Sequence, residues 1–141
     1  MGGLVAAESC HLDPRLRACL VMDVFMPADV VRSGLRQPTM WISRDAATMQ
    51  RERWRQADID EHQTTMRAVY EKLPRDGYLV LLPGMFHQNF SDFPLVIPAP
   101  LGTWLGLIGP IDARRGHEIT ITYFYCIGPL LRHKPFDCMC L

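Results

Sequence analysis

The sequence carries no excess charge of either sign. Its 15 lysines and arginines are matched by 15 aspartates and glutamates, and the formal net charge is zero. Long-range attraction to nucleic acid or to an acidic membrane surface needs such an excess, so neither partner is expected on electrostatic grounds. No apolar run approaches the roughly 20 residues that span a bilayer. The first residues lack the basic start and apolar core of a secretory signal, although a signal ahead of Met1 would escape this reading. The compartment therefore stays open between cytoplasmic and secreted. Cysteine is sparse: Cys10, Cys19, Cys126, Cys138 and Cys140 are odd in number and lack disulfide-framework spacing, which reads as buried thiols. Cys138-Met-Cys140-Leu141 lacks the clustered partners of a metal site and the basic run that accompanies a lipidation box. No metal and no organic cofactor is expected. Repeats and low-complexity linkers are absent, and 141 residues fit one domain.

What is present is ordinary globular composition, 48% apolar and 21% charged, which argues against disorder. The chain is organised around Tyr78-Leu-Val-Leu-Leu-Pro-Gly84-Met-Phe-His87-Gln-Asn-Phe-Ser-Asp92-Phe-Pro94. The unbroken apolar run Tyr78–Leu82 reads as a strand buried on both faces of a parallel sheet. Pro83-Gly84 ends it. His87 then stands on the loop at the strand's C-terminal end, the edge at which open parallel sheets bind ligands. A loop histidine satisfied by backbone is the plain alternative, and these residues by themselves leave both open.

Two more apolar runs, Arg17–Met22 and Thr39–Ser43, read as strands; Pro38 introduces the second, at a position where proline is tolerated. Asp23 follows the first and Arg44-Asp45 the second. The arginines of residues 48–60 interleave with acids, as on a solvated face. A helix fits Asp58 to Leu73, with Ile59, Met66, Val69, Tyr70 and Leu73 on one stripe, Asp58 or Asp60 as cap, and His62 exposed. Residues 95–110, rich in Pro and Gly, do not read as a regular helix. They either line a site or touch lipid, or else pack over the sheet edge. A closing helix starts at a capping Asp112, with an apolar face through Phe124 and Ile127 and a structural His117 within it. Gly128-Pro129 is expected to end or kink it near Cys126, since an interior proline costs about 3 kcal/mol or more. Strands alternating with helices place the chain in the α/β class.

The segment Gly84-x-x-His87-x-x-Phe90-Ser91-Asp92-Phe93 resembles the histidine loop of platelet-activating-factor acetylhydrolases and related serine esterases of the α/β-hydrolase fold. Leu20-Val-Met-Asp23-Val-Phe-Met-Pro27 resembles the segment holding their acid. The resemblance implies a Ser-His-Asp triad in which His87 is the general base and Asp23 the acid. Asp45 is the rival acid, because many other α/β-hydrolases carry it after the later strand, but its flanks do not match. Met1-Gly2-Gly3 resembles the residues that follow the nucleophile in Gly-x-Ser-x-Gly, with Met1 in the position after the serine and Gly2 as the motif's final glycine. Met1 then supplies an oxyanion-hole amide, and the serine lies immediately before it.

On this reading residues 1–141 are the C-terminal portion of a single α/β-hydrolase domain, a partial α/β-hydrolase fold lacking the N-terminal strands and the nucleophile. Its three parallel strands, with flanking helices, are equivalent to the last three of the sheet. The implied activity is hydrolysis of short-acyl esters, including sn-2 esters of phospholipids. The implied partners are that substrate, a peripheral lipid contact, and a second copy meeting the exposed edge of the first strand. The competing reading is a non-catalytic remnant that serves as a binding or structural module. Gly128-Pro129 departs from the family, whose members usually continue a helix there.

Overall fold

The computed structural model describes residues 2–130. Three strands, β1 (Cys19–Met22), β2 (Thr39–Ser43) and β3 (Gly77–Leu81), form one parallel sheet in the order β1-β2-β3. Among the described residues seven α-helices accompany them, α1 (Gly2–Leu12), α2 (Ala28–Ser33), α3 (Ala46–Arg51), α4 (Gln56–Tyr70), α5 (Phe93–Val96), α6 (Ala99–Trp104) and α7 (Ala113–Leu130), with a 3-10 turn at His87–Phe90. This is the three-stranded partial sheet with flanking helices that the apolar runs imply, with β1 starting at Cys19 instead of Arg17 and β3 one residue early.

Every residue of β2 is buried. Alternate side chains of the sheet feed two cores, as the period of a strand requires. Cys19, Val21 and Trp41 pack with Ala7 and Cys10 of α1, Val30 of α2, and Met66 and Val69 of α4. Met40 and Ile42 pack on the other face with Leu82 and Met85, against Tyr78, Val80, Phe90, Ile119 and Tyr123. Each fully buried aliphatic side chain of this kind contributes about 1.5–3 kcal/mol. The pairing of Met22 with Ile42 and of Ser43 with Leu81 brings the C-terminal strand ends out at one edge.

Several expectations need correction. β3 is not buried on both faces. Leu79 and Leu81 remain about 40% exposed because the α1–α2–α4 layer covers β1 and β2 and stops short of the sheet edge. α4 starts at Gln56 with Arg55 as an N-cap whose side chain makes no capping bond; Asp58 instead pairs with Arg55 and Asp60 with Gln56. Residues 95–110 do hold helix, in the short pieces α5 and α6, each with proline in its first turn, where the missing N–H costs nothing. Asp112 Oδ1 accepts from the Arg115 N–H at 2.9 Å, so α7 begins where expected. α7 then continues through Gly128-Pro129 to Leu130. The proline removes one bond from a ladder already anchored upstream by Ile119 and Tyr123, which pack against the second core. The partly buried stripe of α7 runs through those residues, and Phe124 is 43% exposed. Cys10 and Cys19 are buried free thiols, whereas Cys126 is disulfide-bonded. Met1, Cys138 and Cys140 lie outside the described residues.

Candidate active site

Asp23 is the first residue past β1. Its backbone N–H donates to Ile42 O at 2.9 Å, and its φ of 43° lies in the left-handed region. Aspartate is among the few non-glycine residues that tolerate that conformation. The turn is crowded from the side of α1. A Cβ on Gly3 would stand 2.5 Å from Met22 O and 2.7 Å from Val24 Cγ1, so the close approach requires glycine there. The position that needs glycine is Gly3, since a Cβ on Gly2 would meet nothing within 4 Å.

The Asp23 carboxylate is almost wholly buried and has a ring of partners. Oδ1 accepts from Arg44 Nε at 2.8 Å and from Ser43 Oγ at 3.4 Å, and His62 Nε2 lies 3.7 Å away. Oδ2 lies 2.6 Å from Nδ1 of His87. Burial by itself pushes this carboxyl upward. The bond from His87 and the charge and bond of Arg44 outweigh it and hold the group below the usual carboxylate range. Asp23 is therefore ionised and can only accept, which puts an imidazole proton on Nδ1 and makes Nε2 the acceptor of the neutral ring. The His87 side chain is 44% exposed, and no hydrogen bond to Nε2 occurs among the described residues.

His87 sits on a loop braced at three points. Gly84, with φ of 80°, donates its N–H to Thr48 Oγ1 at 3.0 Å. Buried Asn89 accepts through Oδ1 from Phe86 N at 2.9 Å and Gly109 N at 2.8 Å, tying the loop to the segment after α6. A Cβ on Gly109 would fall 2.1 Å from Gly84 O, so the two backbone strands touch. The backbone N–H of His87 donates to Glu52 Oε1 at 3.0 Å.

The structure thus brings His87 and Asp23 together. Asp45 is elsewhere engaged: it is the N-cap of α3 and accepts from Thr48 N at 2.6 Å. Met1, the expected oxyanion-hole residue, lies outside the described residues. His62 reverses its expectation. It is 1% exposed and packs edge-on to Trp54, and desolvation, outweighing the nearby Asp23 carboxylate, holds its pKa below the ordinary value. Its place between Ile59 and Met66 on the helical stripe was the signal for burial. Arg44, Glu52 and Asn89 were not singled out by sequence. Arg44 is fully buried, forms ion pairs with Asp23 and Glu52, and lies 4.5 Å from the centre of the Trp54 ring. Its only signal was its position directly after a strand buried along its whole length. Among the described residues, no group of three or more His, Cys, Asp or Glu side chains is disposed to hold a metal ion.

Residues 1–126 match the family model described as platelet-activating factor acetylhydrolase, isoform II. The chain belongs to this family. The matched segment of the acetylhydrolase-family chain contains all three strands, Asp23 and His87. No curated protein sequence matches significantly. Among solved structures, the chain is similar to a ferulic acid esterase from Streptomyces cinnamoneus, with a TM-score of 0.68 and 22% identity. The likeness covers 96% of this chain and 40% of the esterase. It shows the fold, which is that of the α/β-hydrolases, and the chain spans well under half of that protein's length.

Proposed function

We propose that the protein to which this acetylhydrolase-family segment belongs hydrolyses carboxylic esters through a serine nucleophile, with His87 as general base and Asp23 as the acid that orients it. The observation that carries the reading is the 2.6 Å contact between His87 Nδ1 and an ionised, buried Asp23 carboxylate, with Nε2 left free on an exposed ring edge. Family membership supports it independently.

The nucleophile is a serine ahead of α1, and the tight packing of Gly3 beside the Asp23 turn supports a strand-to-helix elbow there. Serine Oγ attacks the ester carbonyl as Nε2 takes its proton. The oxyanion is held by backbone N–H groups, Met1's among them. Collapse of the tetrahedral intermediate expels the alcohol, which leaves with the proton from Nε2, and water then repeats the sequence on the acyl-enzyme. Two carboxylates, Asp23 and Glu52, face one guanidinium, Arg44, in this cluster. A proton on His87 brings their summed charge to zero, so the imidazolium forms beside an unbalanced negative charge.

The substrate class is a short-acyl ester, sn-2 phospholipid esters included. Val96, Leu101, Trp104 and Leu105, all about half to four-fifths exposed on and after the helices that follow the histidine loop, support contact with an acyl chain or a lipid surface. The test is p-nitrophenyl acetate turnover by the protein extended upstream through a Gly-x-Ser elbow. Turnover that collapses in His87→Ala supports the reading. No turnover before substitution favours a non-catalytic binding module.

A further inference from the structure

Arg44 and Glu52 exchange no proton and touch no reacting atom in the reaction just described, yet they close a ring with its two residues. Asp23 Oδ1 accepts from Arg44 Nε at 2.8 Å, Arg44 Nη1 forms an ion pair with Glu52 Oε2, and Glu52 Oε1 accepts from the His87 backbone N–H at 3.0 Å. His87 Nδ1 returns to Asp23 Oδ2 at 2.6 Å. The Arg44 side chain is 0% exposed and that of Glu52 11%, and the Trp54 ring lies against the guanidinium.

A buried ion pair adds little stability over apolar side chains of equal volume. A guanidinium does, however, present its donors in a rigid planar fork that sets the distance between what it holds. Here one side of the fork holds the carboxylate at the end of β1. The other holds, through Glu52 just past α3, the backbone of the histidine loop. A ring 44% exposed on a loop, hydrogen-bonded at Nδ1 alone and with the tilted Trp54 ring 6.4 Å away, keeps some freedom to pivot about that bond. Tethering its own backbone N–H fixes the main chain from which the ring hangs and narrows that freedom.

We propose that Arg44 and Glu52 are positioning residues for the His87–Asp23 pair. They lock the backbone that carries the imidazole to the carboxylate that orients it, so the direction of Nε2 is set from both ends. The inference deepens the function proposed above and rests on it for the use of that direction. Misplacement of a reacting group by about 1 Å costs about 100-fold in rate, which is the scale on which such a lock matters.

The test is histidine-selective and amide NMR on the full chain, which needs no turnover. In the unsubstituted chain the His87 Nδ1–H proton is expected as a resolved downfield signal, with the His87 amide protected from exchange. Glu52→Ala is expected to accelerate exchange of that amide about tenfold or more, as loss of a bond to a charged acceptor implies, and to broaden the Nδ1–H signal. Glu52→Gln, which keeps an acceptor oxygen, is expected to preserve both. Protected amides of Val21 and Ile42 report that the sheet is intact. Should Glu52→Ala not fold, Glu52→Asp keeps the charge but withdraws the acceptor, and rapid exchange is expected there. An unchanged His87 amide and Nδ1–H signal in Glu52→Ala, or in Glu52→Asp where that stands in, would overturn the bridge and leave the base–acid pair standing. Absence of the Nδ1–H signal before any substitution would overturn the pair itself and the bridge with it.

Discussion

Nδ1 of His87 and Oδ2 of Asp23 stand 2.6 Å apart across 64 residues of sequence. Parallel pairing with a flush register makes this meeting cheap, because β1 and β3 each end beside β2 and release their loops at the same edge. Neither loop has to travel far.

The buried His62 sets a pH dependence. Its folded pKa lies below the ordinary 6.5, chiefly through desolvation, so between those two values the unfolded chain binds a proton that the folded chain does not. Stability is therefore expected to be full above about pH 6.5 and to fall as pH drops through the window below it. Asp23, also lowered, adds a second loss as pH falls below its ordinary 3.8 toward its folded pKa. Urea melts of His62→Phe should lack the first slope and keep the second. A slope just below pH 6.5 that His62→Phe leaves unchanged would contradict the assignment.

Arg44→Met leaves the Asp23 and Glu52 carboxylates facing each other with no cation between them. A loss of about 3–5 kcal/mol is expected, the usual cost of stripping one partner from a buried charge cluster. The double variant Arg44→Met/Glu52→Gln removes one of the stranded charges and should recover part of that loss. Denaturant midpoints at constant slope measure both, and an Arg44→Met loss under about 1 kcal/mol would place the guanidinium in solvent.

Asn89→Ala removes the acceptor of two buried N–H groups, those of Phe86 and Gly109. Each stranded donor costs about 1–3 kcal/mol, so a lowered melting point is expected. The loop should loosen before the sheet does. Hydrogen exchange that rises at residues 86 and 109 while strand amides stay protected would show this; uniform exchange would not fit.

β1 has no second strand neighbour among the described residues, and Leu79 and Leu81 of β3 are half bare on the other edge. Open edges with apolar flanks recruit further strands. We expect the 141-residue chain to self-associate in sedimentation velocity. A monodisperse monomer with one cooperative melt would contradict that.

The fold was legible wherever apolar runs were short and sharply ended. Thr39–Ser43 is a strand to the residue, and Asp23 and His87 stand where the strand ends and their flanking motifs put them. The surroundings of the site are less legible for a common reason: in one dimension a charged or polar side chain gives no sign of burial. Arg44, Glu52 and His62 are polar by type and buried by context, and only the presence of opposite partners in three dimensions makes their burial tolerable. His62 had a one-dimensional signal in its phase on the α4 stripe, and Arg44 a weaker one in following a strand buried throughout. The half-exposed β3 had none, since how far a helical layer extends over a sheet edge is not written in the strand it fails to cover.

The choice of acid is tested most directly by ester turnover of the upstream-extended protein carrying Asp23→Asn or Asp45→Asn. Asp23→Asn is expected to lower turnover by about 10⁴, the effect of leaving a triad histidine in the wrong tautomer, whereas Asp45→Asn disturbs only a helix cap and should stay within a few-fold of the unsubstituted rate. The reverse order, or equal small losses, would contradict the pairing of His87 with Asp23 as the chemical heart of the molecule.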